Sequence, residues 1–495
     1  MKRILLVFPG ARESVWSMRL ALKIMRKRAF IPPLGLATVA GLTPAGYEVR
    51  IIDETVEPVD LDWPCDLVGI AGYTFNSPRM LELADEFRKR GVMTAGGGPF
   101  CKTHADVCKK HFDVVFSGEV ENTWPKFLAE WENGAHAAFY EETGAVDMTA
   151  SPPPRWDLLD MGAYSSGIVQ TTRGCVYDCE FCDVVALTGR RVRSKSLEAV
   201  TEEIRALIRL GVSAIWVADD NFTANTAYAK EVLAKIISIN RETGKRARFI
   251  TQITAEKAFD EELIALLKEA GFFAVLIGIE SPNRESLAET GKIQNLKTDL
   301  AEAVRKVQSS GIYVVGGMVV GFDADGRDVF DRHERFISES GLLLPVVSML
   351  KASRGTRLWK RLSESGRLTE EDDGDFYSGS NFVPLGLTKA ELADGYDNLT
   401  RILFGYDNSI GRFSQFIARV EDAPRPAPVS IQDVLAGLRA SLHFLLGPSE
   451  RRRFFIRGIR TGLKRGLWGA TAFVELAVWL ESHRDFHLKD GGARG

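Results

Sequence analysis

Cysteine and histidine are both scarce here, at six and seven of 495 residues. Six cysteines cannot staple a chain of this length, which excludes a disulfide framework of the secreted kind. Three of them are bunched at Cys175, Cys179 and Cys182. Thiols grouped for metal binding need a reducing compartment, so a cytoplasmic location is expected. Long hydrophobic runs are missing too: no window reaches the roughly 18 uninterrupted apolar residues of a spanning helix. The nearest, Leu467 to Leu480, carries Glu475. The apolar run after the N-terminal Met-Lys-Arg is shorter than a signal peptide's core and lacks a cleavage site. Charge of one sign is lacking as well. A net charge of −3 provides no basic field for nucleic acid. Nor is there a Ser–His–Asp or Cys–His arrangement for nucleophilic catalysis.

What the chain does have is Thr171-Thr-Arg-Gly-Cys175-Val-Tyr-Asp-Cys179-Glu-Phe-Cys182, spaced C-x3-C-x2-C. Soft thiolates select zinc or iron–sulfur clusters. A tetrahedral zinc site wants a fourth protein ligand, and this loop has no fourth Cys and no His. Three cysteines on a [4Fe–4S] cluster leave one iron open to a substrate or cosubstrate. Two plainer alternatives are a reduced loop of clustered thiols and a small zinc knuckle. The spacing, Phe181 before the last cysteine and the preceding Arg173-Gly174 resemble the signature of the radical S-adenosylmethionine (SAM) superfamily. The resemblance implies a [4Fe–4S] cluster on Cys175, Cys179 and Cys182, with SAM chelated at the open iron and Phe181 among its contacts. It also implies an external one-electron donor of the flavodoxin or ferredoxin type.

A chain of 495 residues is expected to form two or three domains. Residues 1–140 alternate short apolar strands (Ile4–Phe8, Tyr47–Asp53, Asp66–Ala71, Val92–Ala95, Val114–Ser117) with helices (Leu34–Thr43, Pro78–Arg90). This α/β pattern predicts a Rossmann-like parallel sheet covered on both faces. Ligands on such sheets sit at the carboxyl ends of the strands. Gly72-Tyr73-Thr74-Phe75, Gly96-Gly97-Gly98-Pro99 and Ser117-Gly118-Glu119 fall there, and successive glycines let backbone approach a bulky planar ligand. With Pro32-Pro33-Leu34-Gly35 opening the first helix, the set resembles the cobalamin-binding domain fused ahead of many radical SAM enzymes. That resemblance implies cobalamin contacts at Pro33, Leu34, Gly35, Tyr73, Thr74, Gly96, Gly97, Gly98, Gly118 and Glu119. The Asp-x-His-x-x-Gly motif of other cobalamin domains is absent from residues 1–140. The resemblance then implies a lower axial site that is empty or aqua, bordered by Tyr73, Thr74 or Phe75. His104 and His111 read as residues of a solvent-facing helix. The alternative is a degenerate sheet domain that binds no cofactor.

Residues 141–164 read as a linker, since Ala150-Ser-Pro-Pro-Pro-Arg155 is held extended before each proline. From 165 to 385 the alternation resumes, with strands at Val169–Thr172, Ala214–Val217, Arg248–Ile253, Phe273–Ile277 and Tyr313–Val320. The superfamily resemblance implies a partial (β/α)6 barrel whose strand ends host the reacting groups. It carries SAM contacts onto Asp219 and Asp220 (amino end), Gln252 (ribose or carboxylate), Gly278, Glu280 and Ser281 (ribose), and Gly321 (adenine). Read on their own, Asp219–Asn221 suit a helix N-cap, and the glycines of 316–321 suit tight strand–helix packing. Arg190, Arg191, Arg193 and Lys195 read as a solvated basic face. Arg173 is the candidate to screen the cluster or to pair with an acid.

Residues 386–495 read as helical: Lys389–Phe404, Ser409–Val420, Ile431–Leu446, then Glu450 onward, with a proline-rich break at Ala423–Val429. Arg451–Arg465 interleaves seven basic residues with Phe454, Phe455, Ile456, Ile459 and Leu463. That suits a helix docked on the barrel with a basic outer side, or a peripheral contact with the inner membrane face. The tail resembles the helical extension of radical SAM enzymes that methylate hopanoids and bacteriochlorophyll side chains. This branch implies methylation of an unactivated carbon of a small or lipid-like substrate, through a 5′-deoxyadenosyl radical and methylcobalamin. One alternative keeps both cofactors but performs a cyclisation, ring contraction or oxidation. Another, of a different class, is a non-catalytic iron–sulfur electron-transfer or cobalamin-carrying protein.

Overall fold

A computed structural model describes residues 1–244, 247–421 and 430–489. The proline-rich stretch 423–429 lies outside the described residues. The chain builds two six-stranded parallel sheets. The first holds β1 (Lys2–Phe8), β2 (Tyr47–Asp53), β3 (Leu67–Ala71), β4 (Met93–Gly97), β5 (Val114–Ser117) and β6 (Phe139–Glu141), in the order β2-β1-β3-β4-β5-β6. Alternation along β1 explains its two coats of helix. Ile4 and Leu6 pack with Leu36, Ala37 and Trp124 on one side, while Leu5 and Val7 pack with Met80, Leu83 and Phe87 on the other.

The second sheet runs in sequence order: β7 (Gly167–Val169), β10 (Ala214–Val217), β11 (Arg248–Ile253), β12 (Phe272–Glu280), β13 (Tyr313–Val320) and β14 (Leu344–Met349). A helix covers each crossover, as in Leu197–Arg209, Thr226–Thr243 and Val329–Ser340, so the sheet curves as an open sector of a β/α barrel. The first strand ends sooner than expected. Thr172–Arg173 (β8) leaves the sheet to pair antiparallel with Arg193–Ser194 (β9), and the cysteine loop spans the gap between them. At Gly316 a Cβ would lie 2.5 Å from a Leu342 methyl, so this glycine lets the strand pack closely against the turn that follows helix Val329–Ser340.

The two halves are joined by specific contacts. Trp16 and Phe30 meet Trp216 edge-on at 6.3 and 5.8 Å, and Tyr164 donates to Asp53 at 3.1 Å. The C-terminal helices Lys389–Leu403, Tyr406–Arg419, Ile431–Leu445, Ser449–Gly462 and Gly466–Lys489 pack behind the second sheet. Segment 451–465 docks inward. Phe454 and Phe455 are buried, and Gly458 faces the Phe473 ring, where any Cβ would clash at 1.8 Å. Among the described residues no helix is long and apolar enough to cross a membrane.

Candidate active site

The cysteine loop is clamped before any cofactor is considered. Gly174 opens it at φ +93°, where a Cβ would come 2.5 Å from the Arg191 carbonyl oxygen, so the turn requires glycine. Its N–H donates to Asp220 Oδ2 at 2.8 Å, and the Thr188 hydroxyl donates to the same oxygen at 3.0 Å. Farther along, Glu180 N–H donates to the Thr290 carbonyl at 2.9 Å, and Glu180 O accepts from Leu358 N–H at 3.0 Å. Arg361 forks onto the Glu180 carboxylate at 2.7 and 2.9 Å. Phe181 lies edge-on to Phe322 at 5.9 Å, in a small apolar cluster with Leu350, Leu358 and Leu362.

All three thiols of the loop are free, with Cys179 buried and Cys175 and Cys182 half-buried. Burial raises the Cys179 thiol, and burial with the Asp183 charge raises that of Cys182 to about 12. Only a bound metal would hold such thiols as thiolates. Among the described residues no three His, Cys, Asp or Glu side chains converge on a point able to hold a single metal ion. A zinc knuckle needs ligands within about 2.3 Å of one centre, whereas a cluster spreads its thiolates over separate irons. Three soft thiols with no fourth Cys or His in the loop are the donor set of a multi-iron cluster that keeps one iron open.

Behind the loop lies a group that sequence reasoning missed. Lys292 Nζ stands 2.6 Å from Glu280 Oε1, with both side chains nearly buried. Burial works against the ammonium, yet Glu280 and the Cys179 thiol hold its pKa above the ordinary value. Gln294 Nε2 is 3.9 Å from Cys179 Sγ, and its buried Oε1 has no partner in the structure. Asn295 donates to the carbonyls of Gly278 and Ile279 at 2.8 and 2.9 Å. The available signal was Lys292-Ile-Gln294-Asn295, three long polar residues just after Gly291 with no apolar face of their own.

The other expected SAM residues sit at the carboxyl ends of the barrel strands. Asp219 is buried and wholly engaged: the N–H and hydroxyl of Thr171 and the hydroxyl of Thr172 all donate to it. Burial outweighs those bonds and raises its carboxyl to about 6. The N-cap reading of 219–221 gives way to Asn225, whose side chain accepts from Tyr228 N–H at the start of helix Thr226–Thr243. Gln252 is exposed although β11 is an inner strand, which turns it into open space. Glu280 adopts φ +62°, a strained value for a non-glycine residue, at a register shift between β12 and β13. Ser281 is fully buried and accepts from Asn283 N–H at 3.1 Å. Gly321, at φ +104°, donates to Asp325 Oδ2 at 2.9 Å.

Opposite them stand the strand ends of the first sheet. Tyr73 and Phe75 stack at 5.3 Å and are 48% and 43% exposed. Desolvation and the charges of Asp183 and Asp220 raise the pKa of the Tyr73 phenol. Helix Gly98–Thr103, which follows β4, packs on helix Val184–Thr188, which follows the cysteine loop, so the strand ends of the two sheets face each other across a cleft that Tyr73 and Thr74 border. Gly98 is at φ +84°, with a would-be Cβ 2.9 Å from Gly72 O. Gly97 and Gly35 have nothing within 4 Å of that position, whereas at Gly96 the Phe112 ring would lie at 2.8 Å. Pro33 caps, and Leu34 begins, helix Leu34–Leu42 on the flank of β1. Gly118, at φ +105°, turns the chain into Glu119.

Several expectations need correction. Glu119 is tied up by the barrel: Arg173 and Arg193 donate to its two oxygens at 2.7 and 2.6 Å, and Arg173 also reaches Glu121 at 2.6 Å. Arg193 and Lys195 are thus buried, not part of a solvated face, and Lys195 pairs with buried Glu203 at 2.6 Å. Arg190 and Arg191 do remain outside. His104 is buried against Phe100 with its ring 4.6 Å away, and is not solvent-facing. Only His111 lies near the surface, beside Asp85 at 3.0 Å.

Comparisons with known proteins agree with this geometry. The family description "Radical SAM superfamily" matches residues 169–336, and "Domain of unknown function (DUF4070)" matches 356–486. A Synechocystis protein named uncharacterized methyltransferase sll1242 is 35% identical over 77% of this chain and 72% of its own length. The chain belongs to the radical SAM superfamily. The hopanoid C-2 methylase of Rhodopseudomonas palustris is 29% identical over 75% of this chain and 72% of its own. Among solved structures, the cobalamin-dependent SAM radical enzyme OxsB shares the fold with a TM-score of 0.63 at 14% identity, covering 99% of this chain and 80% of that one. As a radical SAM protein the chain is expected to carry a [4Fe–4S] cluster and SAM, which the cysteine loop and the barrel's strand ends are furnished to receive.

Proposed function

We propose that this radical SAM protein is a cobalamin-dependent C-methyltransferase acting on a small or lipid-like substrate. The observation that carries the reading is the meeting of two sets of strand ends across one cleft, with the aromatic and glycine-lined end of the first sheet facing the cysteine loop of the second. Similarity to the two methylating relatives supports the reaction type, and the hopanoid methylase supports the substrate class. When bound, the cofactors supply a carbon-centred radical and a transferable methyl group. The chain's own residues supply position and field.

In this reading Cys175, Cys179 and Cys182 hold the cluster. Lys292 and Glu280 present paired charges to the amino-acid end of SAM, and Gln252, Phe181 and Gly278 line its remaining length, with buried Ser281 and Gly321 shaping the strand ends behind them. Asp219 and Asp220 fix the cysteine loop through Thr171, Thr172 and Gly174. Tyr73, Thr74, Gly96–Gly98, Pro33–Gly35 and Gly118 border cobalamin. Glu119 acts by holding Arg173 beside the loop. An external flavodoxin- or ferredoxin-type donor supplies electrons. The work is placed in the cytoplasm, with peripheral contact at the inner membrane face where a lipid-like substrate would be met.

The test is anaerobic reconstitution with iron, sulfide and cobalamin, followed by mass spectrometry with a candidate lipid extract. Methylation predicts 5′-deoxyadenosine together with a product heavier by one methyl group. Deoxyadenosine without that mass gain would favour cyclisation, ring contraction or oxidation. Its absence under reduction would favour a carrier protein.

A further inference from the structure

Helix Ile431–Leu445 inverts the usual packing of a surface helix, which turns its apolar stripe inward. It buries only Ala440 and Phe444. Ile431, Val434, Leu435, Leu438 and Leu442 are instead 81, 52, 43, 56 and 54% exposed, with Leu446 at 81% just beyond its end. Those positions recur at the three- and four-residue spacing of a single helix face. The helix itself is anchored, since Arg439 donates to the Ile24 carbonyl at 2.7 Å. A contiguous apolar stripe of this kind marks an interaction site.

The charge around it says what covers it. Between Ser430 and Arg465 there are eight basic residues and two acids. One acid, Asp433, is taken up by the Ser430 cap at 2.7 and 2.8 Å. Arg452 and Arg453 are exposed on the helix that follows the Leu446 turn, as are Arg460 and Lys464 farther along. Leu463 and Leu467 add side chains that are 51% and 81% exposed where that helix ends. Apolar side chains bordered by exposed arginines match the two layers of a bilayer interface, acyl boundary and anionic headgroup. No helix among the described residues can span, so the contact is interfacial. We infer that the outward face of helix Ile431–Leu445, with the exposed arginines of Ser449–Gly462, docks this chain on an anionic bilayer surface. The sequence offers 451–465 either for such a contact or for docking on the barrel. In the structure that segment's aromatic residues are spent on packing, so it lends charge while the preceding helix lends the apolar face. The inference rests on the lipid-like part of the reading above, and its test needs no turnover.

Full-length protein is floated with vesicles of phosphatidylcholine alone, and of phosphatidylcholine mixed with phosphatidylglycerol. The expected result is binding to the anionic vesicles at least about tenfold stronger than to the neutral ones, weakened by salt. Leu438→Glu/Leu442→Glu, at exposed positions, should lower binding about tenfold or more with an unchanged thermal midpoint. Arg452→Gln/Arg453→Gln should remove most of the preference for anionic vesicles. Wild-type protein that stays unbound would overturn the inference, as would a double-glutamate variant that binds normally. So would a wild-type dimer converted to monomer by the same variant, which would assign the face to a second copy of the chain.

Discussion

At the ends of β3 and β4 the chain leaves space, whereas at the ends of β10 and β12 it fills space with paired charge. Tyr73 and Phe75 stack with much of their area free, and nothing approaches the α-carbon substituent site of Gly97. Across the cleft, Asp219 and the Glu280–Lys292 pair are enclosed and engaged. An open, sparsely polar surface suits a large planar ligand that brings its own hydrogen-bonding groups. An enclosed, charged one suits a small zwitterion beside a cluster, where a low dielectric strengthens every interaction. The contrast divides labour between shape on one sheet and field on the other.

The largest expected effect tests the charged side at its centre. A Cys175→Ala/Cys179→Ala/Cys182→Ala variant should show no cluster-derived charge-transfer absorption after reconstitution and no SAM cleavage under reduction. A cluster signal of wild-type strength would move the site elsewhere in the chain. Next comes Lys292→Met, which strands a buried carboxylate and should cost about 3–5 kcal/mol in denaturant unfolding of the cofactor-free protein. Adding Glu280→Gln should recover more than half of that loss, because no uncompensated charge is then left inside. A loss under about 1 kcal/mol for Lys292→Met would mean that the pair is solvated and does not shape the field.

Asp219 gives a pH-dependent version of the same test. Its folded pKa of about 6 lies above the ordinary 3.8, so the native state binds this proton more tightly than the unfolded chain. Its contribution to stability falls as pH rises from about 4 to about 6 and stays low above that, about 3 kcal/mol in all. Asp219→Asn should flatten that segment of the stability profile relative to wild type. Parallel profiles from pH 4 to 7 would show that Asp219 titrates normally.

How much of this was legible depends on whether the partner lies nearby in sequence. The apolar runs of β1, β10, β11 and β13 and the cysteine spacing are local signals, and the structure places strands and loop there. Arg193 could not be read as buried, because Glu119, which neutralises it, lies 74 positions away. Lys195 resembled one more cation of a basic run, although Glu203 waits a few residues on. β14 is not among the strands expected from the sequence, and Pro345 within it weakens its strand signal. The strand lies at the sheet edge, where a missing N–H is tolerated. Lys292 lacked a motif, and only the fold brings it to Glu280 and Cys179.

The smallest effects on stability separate the two sides most cleanly, through adjacent glycines. Gly98 needs its positive φ, and a Cβ there would press on Gly72 O, so Gly98→Ala should cost about 1–3 kcal/mol. Gly97 has φ −148°, extended backbone open to any residue, with nothing within 4 Å of its would-be Cβ. Gly97→Val should therefore leave unfolding within about 0.5 kcal/mol of wild type, while its side chain projects into the space assigned to cobalamin. Equilibrium titration of cobalamin absorbance should then show at least about tenfold weaker binding, with the cluster spectrum intact. If Gly97→Val binds cobalamin as wild type does, the openness at this strand end serves some purpose other than holding a planar ligand, and the division between a shape-giving and a field-giving sheet fails on its shape-giving side.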